Sequence, residues 1–116
     1  MPTEHLVAID FETFYDKAAG YSLTSMSAFA YVHDPRFDAY LVSVFDDDDI
    51  AYVGRPEEFD WSKLDGMTPC AHNAAFDRQV YDRLVELKVI APAAFAGEWV
   101  CTADLAAYLG CRRDLK

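Results

Sequence analysis

The sequence predicts an α/β domain, a mixed β-sheet with helices packed against it, on three observations. The run Leu6-Val7-Ala8-Ile9-Asp10-Phe11-Glu12-Thr13 is apolar and ends in two carboxylates spaced two apart. Two segments rich in β-branched and aromatic residues, 37–45 and 50–54, flank an acidic break. Residues 74–88 carry the clearest helical periodicity in the chain. Taken in order, the elements read β, short α, β, β, α, β, α, β, α, a pattern that calls for helices layered on a mixed sheet. With 116 residues, 1–116 is read as a single domain with a modest core.

Residues 5–11 read as the first strand. Side chains alternate along a strand, so Asp10 and Glu12 share one face while Ile9 and Phe11 share the other. Tyr15 to Gly20 is a turn, and Ser22 or Thr24 is the expected cap of a short helix over about 25–32. Asp34-Pro35 ends that helix, because the residue before proline is biased away from helical backbone. The segments 37–45 and 50–54 read as a hairpin across Asp46 to Asp49. The four aspartates lack the alternating ligands, turn glycine and closing glutamate of an EF-hand, and are read as a solvated turn.

Pro56 opens a helical stretch to Leu64, with Phe59 and Leu64 as apolar contacts and Gly66 as its stop. Pro69 to Asn73 is a short buried strand leading into helix 74–88, whose Phe76, Val80, Leu84 and Leu87 recur at helical spacing. Pro92 breaks the chain after it. Trp99 to Thr102 is a fifth strand, and Ala103 to Leu109 a last helix stopped by Gly110.

Composition narrows the function. A chain that is 53% hydrophobic and 15% aromatic folds rather than staying disordered. Its 20 acidic residues against 10 basic ones, a formal charge of −10, argue against broad electrostatic binding of nucleic acid. They leave room for an enzyme that grips nucleic acid through metal ions and a few local contacts. Cys70, Cys101 and Cys111 form no CxxC pair and read as small core residues in a reducing compartment. The start MPTEHLVAID lacks a basic region followed by a long apolar run, and no stretch reaches the roughly 18 apolar residues of a membrane span. A cytoplasmic protein without a membrane partner is expected. His5, His33 and His72 form no ligand cluster in the sequence, and Arg112-Arg113 is too short for a nucleic-acid patch.

Asp10 and Glu12 carry the chemistry. Like charges at the carboxyl end of a strand are unfavourable unless solvent or a cation compensates them. Ligands of open α/β sheets bind at that end, so a divalent metal is one explanation and a solvated strand end the other. Asp77 is the third acid, in the first turn of helix 74–88, where a carboxylate also favours the helix dipole. Its neighbour Phe76 is expected to face the core, leaving Asp77 near the edge of the buried face.

Asp10-Phe11-Glu12-Thr13 resembles the first motif of the DEDD 3′–5′ exonucleases, whose fold is ribonuclease H-like, and His72-Asn73-Ala74-Ala75-Phe76-Asp77 resembles their second. Residues 21–37 and 99–104 are similar to the exonuclease domain of bacteriophage family A DNA polymerases. The resemblance implies metal-dependent removal of nucleotides from single-stranded DNA 3′ ends, as polymerase proofreading. Asp10, Glu12 and Asp77 would be the catalytic residues and the ligands of two Mg²⁺ or Mn²⁺ ions, while Thr13, Asn73 and Phe76 would contact the terminal nucleotide. The family's third motif, which supplies a fourth carboxylate and a Tyr or His that orients water, has no counterpart here. Asp104 and Asp114 are present, but not in a Tyr-x-x-x-Asp or His-x-x-x-x-Asp setting. The expectation is therefore a C-terminally truncated front part of the family domain with one metal site incomplete. Two alternatives stay open: a non-catalytic module that associates with a polymerase domain or with its own copy, and an RNA exonuclease of the same superfamily.

Overall fold

The computed structural model describes residues 5–47 and 49–102. Among the described residues five strands form one mixed sheet: β1 (Leu6–Thr13), β2 (Ala39–Phe45), β3 (Ala51–Gly54), β4 (Thr68–Ala71) and β5 (Val100–Cys101), in the order β3-β2-β1-β4-β5. The pairs β1–β2 and β2–β3 are antiparallel, while β1–β4 and β4–β5 are parallel. Helix α1 (Ala28–His33) follows β1, and helix α2 (Ala74–Glu86) links β4 to the segment leading into β5. The small α/β domain with a mixed sheet is thus what the element order implies. Among the described residues no helix is long and apolar enough to cross a membrane.

β1 sits at the centre of the sheet and follows the period-two pattern. Val7, Ile9 and Phe11 are buried, whereas Ala8, Asp10 and Glu12 are exposed on the other face. The buried set packs with Val42 and Val44 of β2, with Trp61 and Leu64, and with Val80, Tyr81 and Leu84 of α2. The helices therefore cover one face, and the carboxylates of β1 lie on the other. β1 runs to Thr13 rather than stopping at residue 11, because Glu12 and Thr13 still pair with Leu41 and Ala39.

Several local expectations shift. The α1 cap is Ser27, whose Oγ accepts from Ala30 N–H at 3.1 Å, and Ser22 is buried instead. The stretch Pro56 to Leu64 is not one helix but two short 3₁₀ turns, Pro56–Glu58 and Trp61–Leu64. Phe59 between them is extended, which lets the Trp61 indole N–H turn back onto the Pro56 carbonyl at 2.9 Å. β4 ends at Ala71, leaving His72 and Asn73 as the turn into α2. α2 ends at Glu86 rather than at residue 88; its buried residues are Ala74, Asp77, Val80, Tyr81 and Leu84, Phe76 is only half-buried, and Leu87, just past its end, is exposed. Cys70 is buried as expected, but Cys101 is only half-buried. Its thiol reaches the His72 carbonyl at 3.2 Å. The proposed last helix, Cys111, the Arg112-Arg113 pair and Asp48 of the acidic turn lie outside the described residues.

Candidate functional site

β1 and β4 run parallel, so their carboxyl ends emerge on the same side of the sheet. From β1 the chain crosses to β2 and β3 on one side, while β4 and β5 lie on the other. That reversal of strand order is where open α/β sheets bind ligands.

The parallel ladder pairs Leu6, Val7 and Ala8 with Thr68, Pro69 and Cys70 and goes no further. Beyond it the Phe11 N–H would be left without a strand partner, and buried backbone donors need one. Asp77 supplies it: its Oδ1 accepts from Phe11 N–H at 3.2 Å, across 66 positions of sequence. The first turn of α2 is thereby docked on the residue that lies between Asp10 and Glu12.

Asp77 is 4% exposed, not at the edge of the buried face. Burial pushes its carboxyl up from 3.8 to about 6, the Phe11 hydrogen bond holds it back, and the Asp10 and Glu12 charges raise it further. The three predicted acids are therefore electrostatic neighbours. Among the described residues, however, no three His, Cys, Asp or Glu side chains converge closely enough to hold one ion. Asp104 and Asp114, the candidates for a fourth carboxylate, lie outside the described residues.

Of the predicted nucleotide contacts, Thr13 and Phe76 line one cavity of ≈ 320 Å³, together with Tyr15, Ser22, Leu23 and Tyr31. Asn73 does not line it. Asn73 caps α2, its Oδ1 accepting from Phe76 N–H at 3.4 Å. Replacing it with Ala should destabilise the domain by about 1 kcal/mol, and Ser should restore most of that. Urea unfolding would test this, and equal stability of all three proteins would remove the capping role.

Tyr31 is the site residue that sequence reasoning missed. It is 1% exposed, and its ring lies between Tyr21, stacked at 4.5 Å, and Phe76, tilted at 6.0 Å. Its hydroxyl meets Thr13 Oγ1 at 2.9 Å and the Phe14 carbonyl. The Arg36 guanidinium, paired with Asp34, covers the Tyr21 ring at 4.6 Å. The available signal was the aromatic content of residues 14–31, with Tyr31 itself inside the short helix expected over about 25–32.

The histidines are dispersed. His5 pairs with Asp46 at 2.9 Å, His33 approaches Glu86 at 3.6 Å, and His72 is exposed in the turn before α2. No protein-family model matches the chain, and no curated protein or solved structure matches it either.

Proposed function

We propose that this chain is a ribonuclease H-like 3′–5′ exonuclease domain, acting with Mg²⁺ or Mn²⁺ on single-stranded DNA 3′ ends in polymerase proofreading. The observation that carries the reading is the Asp77 to Phe11 hydrogen bond, which sets the acid of one exonuclease-like motif against the strand bearing the other two. The mixed sheet with helices on one face agrees with that fold, and so does the position of the acids at the switch in strand order.

The chemistry of the donor set suits the metal, although the three side chains do not converge as they stand. Three carboxylates offer the hard oxygen ligands that Mg²⁺ and Mn²⁺ prefer, and Asp77 already feels the charges of Asp10 and Glu12. Ligation requires the exposed side chains of Asp10 and Glu12 to turn toward Asp77. When bound, two such ions supply an activated water and charge stabilisation for the departing 3′ oxygen. The protein's own part is positioning. Asp10, Glu12 and Asp77 would hold the ions that draw in phosphate, and Thr13 and Phe76, which line one cavity, would offer a hydroxyl and a ring to the terminal nucleotide. Stacking on aromatic residues such as Phe76 is tolerant of base identity, as proofreading demands.

The test is degradation of a single-stranded DNA oligonucleotide in Mn²⁺ by the wild type and by Asp10→Ala. Shortening from the 3′ end, lost at least about a hundredfold in Asp10→Ala, would establish the exonuclease and mean that the fourth ligand comes from residues not yet identified, the hundredfold being the scale on which charge-stabilising groups act. Mn²⁺ binding without turnover would favour the non-catalytic assembly module instead. Absence of Mn²⁺ binding would overturn the catalytic reading.

A further inference from the structure

We infer that the free edge of β3, with the acid-rimmed groove beside it, docks an extended basic segment of a partner protein, which joins the sheet as an antiparallel strand. Neither β3 nor the groove contains Asp10, Glu12 or Asp77, so this surface is independent of the proposed nuclease site.

The ladder decides which backbone groups are open. Among the described residues β3 pairs with β2 alone, in an unbroken antiparallel register. In such a pair, residues that exchange both backbone bonds alternate with residues that exchange none. The Asp46 N–H donates to the Ile50 carbonyl at 3.1 Å, which puts the bonded positions along this strand at Ile50, Tyr52 and Gly54. The N–H and C=O of Ala51 and Val53 therefore point outward, where an added strand would meet them. Edges are ordinarily protected by lysine, proline, a bulge or an inward charge. Beyond its shortness, Ala51-Tyr52-Val53-Gly54 has no such device, and Val53 is 59% exposed.

The groove beside this edge, of ≈ 730 Å³, supplies the chemistry of the partner. Its floor is apolar: Ile50, Tyr52, Phe59 and Met67 are half-buried and packed on the core. Tyr52 is fixed there, its ring 4.9 Å from Phe59 and its hydroxyl donating to the Arg55 carbonyl at 2.7 Å. A Cβ at position 54 would stand 2.6 Å from that hydroxyl oxygen, so Gly54 lets the ring lie where it does. The exposed Asp49, Glu58 and Asp60 rim the groove, against the cation of Lys63. Lysine or arginine suits both parts, its stem along the floor and its charge at the rim. On the other face of the added strand, apolar side chains would lie beside Ala51 and Val53. The partner strand therefore alternates basic and apolar residues. A second copy of this chain is a poor occupant: each carries a formal charge of −10, and pairing two such edges brings their carboxylates together.

The experiment uses the full chain and a fluorescent capped peptide that alternates lysine and valine over about eight residues, read by anisotropy. Wild type is expected to bind it with a Kd on the order of 10–100 μM, weakening as salt is added. In the docked strand the valines stand opposite Ala51 and Val53, so their N–H groups face β3. N-methylation of the valines should weaken binding by about tenfold or more, and N-methylation of the lysines by about twofold at most. A peptide with glutamate in place of lysine should not bind. Val53→Pro removes an outward N–H, spares the bonded positions, and should weaken binding by about tenfold. Asp49→Lys combined with Glu58→Lys should weaken it by about five- to tenfold. Equal binding of the two N-methylated peptides would overturn the inference, leaving only attraction to charge, even if Val53→Pro failed to fold. Glutamate and lysine peptides binding alike, no binding of either, or unchanged affinity in the folded variants would overturn it too. Sedimentation showing a wild-type dimer that Val53→Pro abolishes would replace the basic partner with a second copy. None of these failures touches the nuclease reading, which stands on the Mn²⁺ and DNA assays.

Discussion

Replacing Asp77 with Asn is expected to make the metal-free protein more stable at neutral pH while abolishing its response to divalent cations. The amide oxygen of Asn can still accept from the Phe11 N–H, so the link between α2 and β1 survives. What disappears is a buried negative charge beside two others. The sign follows from the direction of the shift. With the carboxyl raised from 3.8 to about 6 in the folded protein, the native state holds this proton more tightly than the unfolded chain does. The stabilisation is complete below about pH 4 and is lost as the pH rises through 6, a total of about 3 kcal/mol at about 1.4 kcal/mol per pKa unit.

Asn also has an amide NH₂ to satisfy, so the net gain at pH 7.5 should be about 1–2 kcal/mol, or roughly 4–15 °C in Tm. Urea titrations at pH 4 and pH 7.5 would show the wild type losing stability across the interval relative to the variant. In millimolar Mn²⁺ the wild type should gain Tm by mass action and the variant should not. A variant less stable than wild type at pH 7.5 would mean that the carboxylate charge is compensated by something other than solvent or metal.

The second large effect concerns the wall behind the site. Trp61 is 3% exposed and stacks on Phe11 at 6.1 Å. It meets Phe59 and Tyr81 edge-on at 5.2 and 5.5 Å, and its indole N–H is satisfied by the Pro56 carbonyl. Trp61→Ala removes all of these contacts, opens a cavity beneath β1 and strands a buried carbonyl. The expected loss is about 3–5 kcal/mol, a large part of the roughly 5–15 kcal/mol available to a domain. Trp61→Phe keeps most of the ring contacts and should lose only about 1–2 kcal/mol. Because Phe11 carries the amide that Asp77 grips, the Ala variant should also weaken Mn²⁺-induced stabilisation in whatever fraction remains folded. A loss below 1 kcal/mol in urea unfolding would show that the aromatic cluster is not what supports this end of β1.

Much of the molecule was legible in the residues because it is decided locally. The alternation in Leu6 to Thr13 is enough to put Asp10 and Glu12 on one face and Ile9 and Phe11 on the other, since a strand leaves no other choice. The hairpin of β2 and β3 follows from two β-rich runs across a polar break, and the start of α2 at Ala74 from its periodicity, although the helix ends at Glu86 rather than at residue 88 and Asn73, read as the end of a strand, is its cap. Even the presence of Asp77 in the first turn needed no tertiary information.

Its burial did. Counted from Phe76, the apolar stripe leaves Asp77 at the margin. Packed on the sheet, α2 is rotated so that Ala74, Asp77, Val80, Tyr81 and Leu84 face inward. The reason is a single long-range vacancy: β4 stops pairing before Phe11, and a side chain from 66 residues away fills the place of the missing strand. Pro56 to Leu64 divides for a similar reason, because Trp61 serves the core and the Pro56 carbonyl at once. Tyr31 has no periodicity to betray it; its role exists only once Thr13, Phe14, Tyr21 and Phe76 have been brought around it. Sequence alone decides which residues share a face, because that depends on neighbours along the chain. Which of those faces becomes a site depends on where distant backbone groups run out of partners, and only the folded chain determines that.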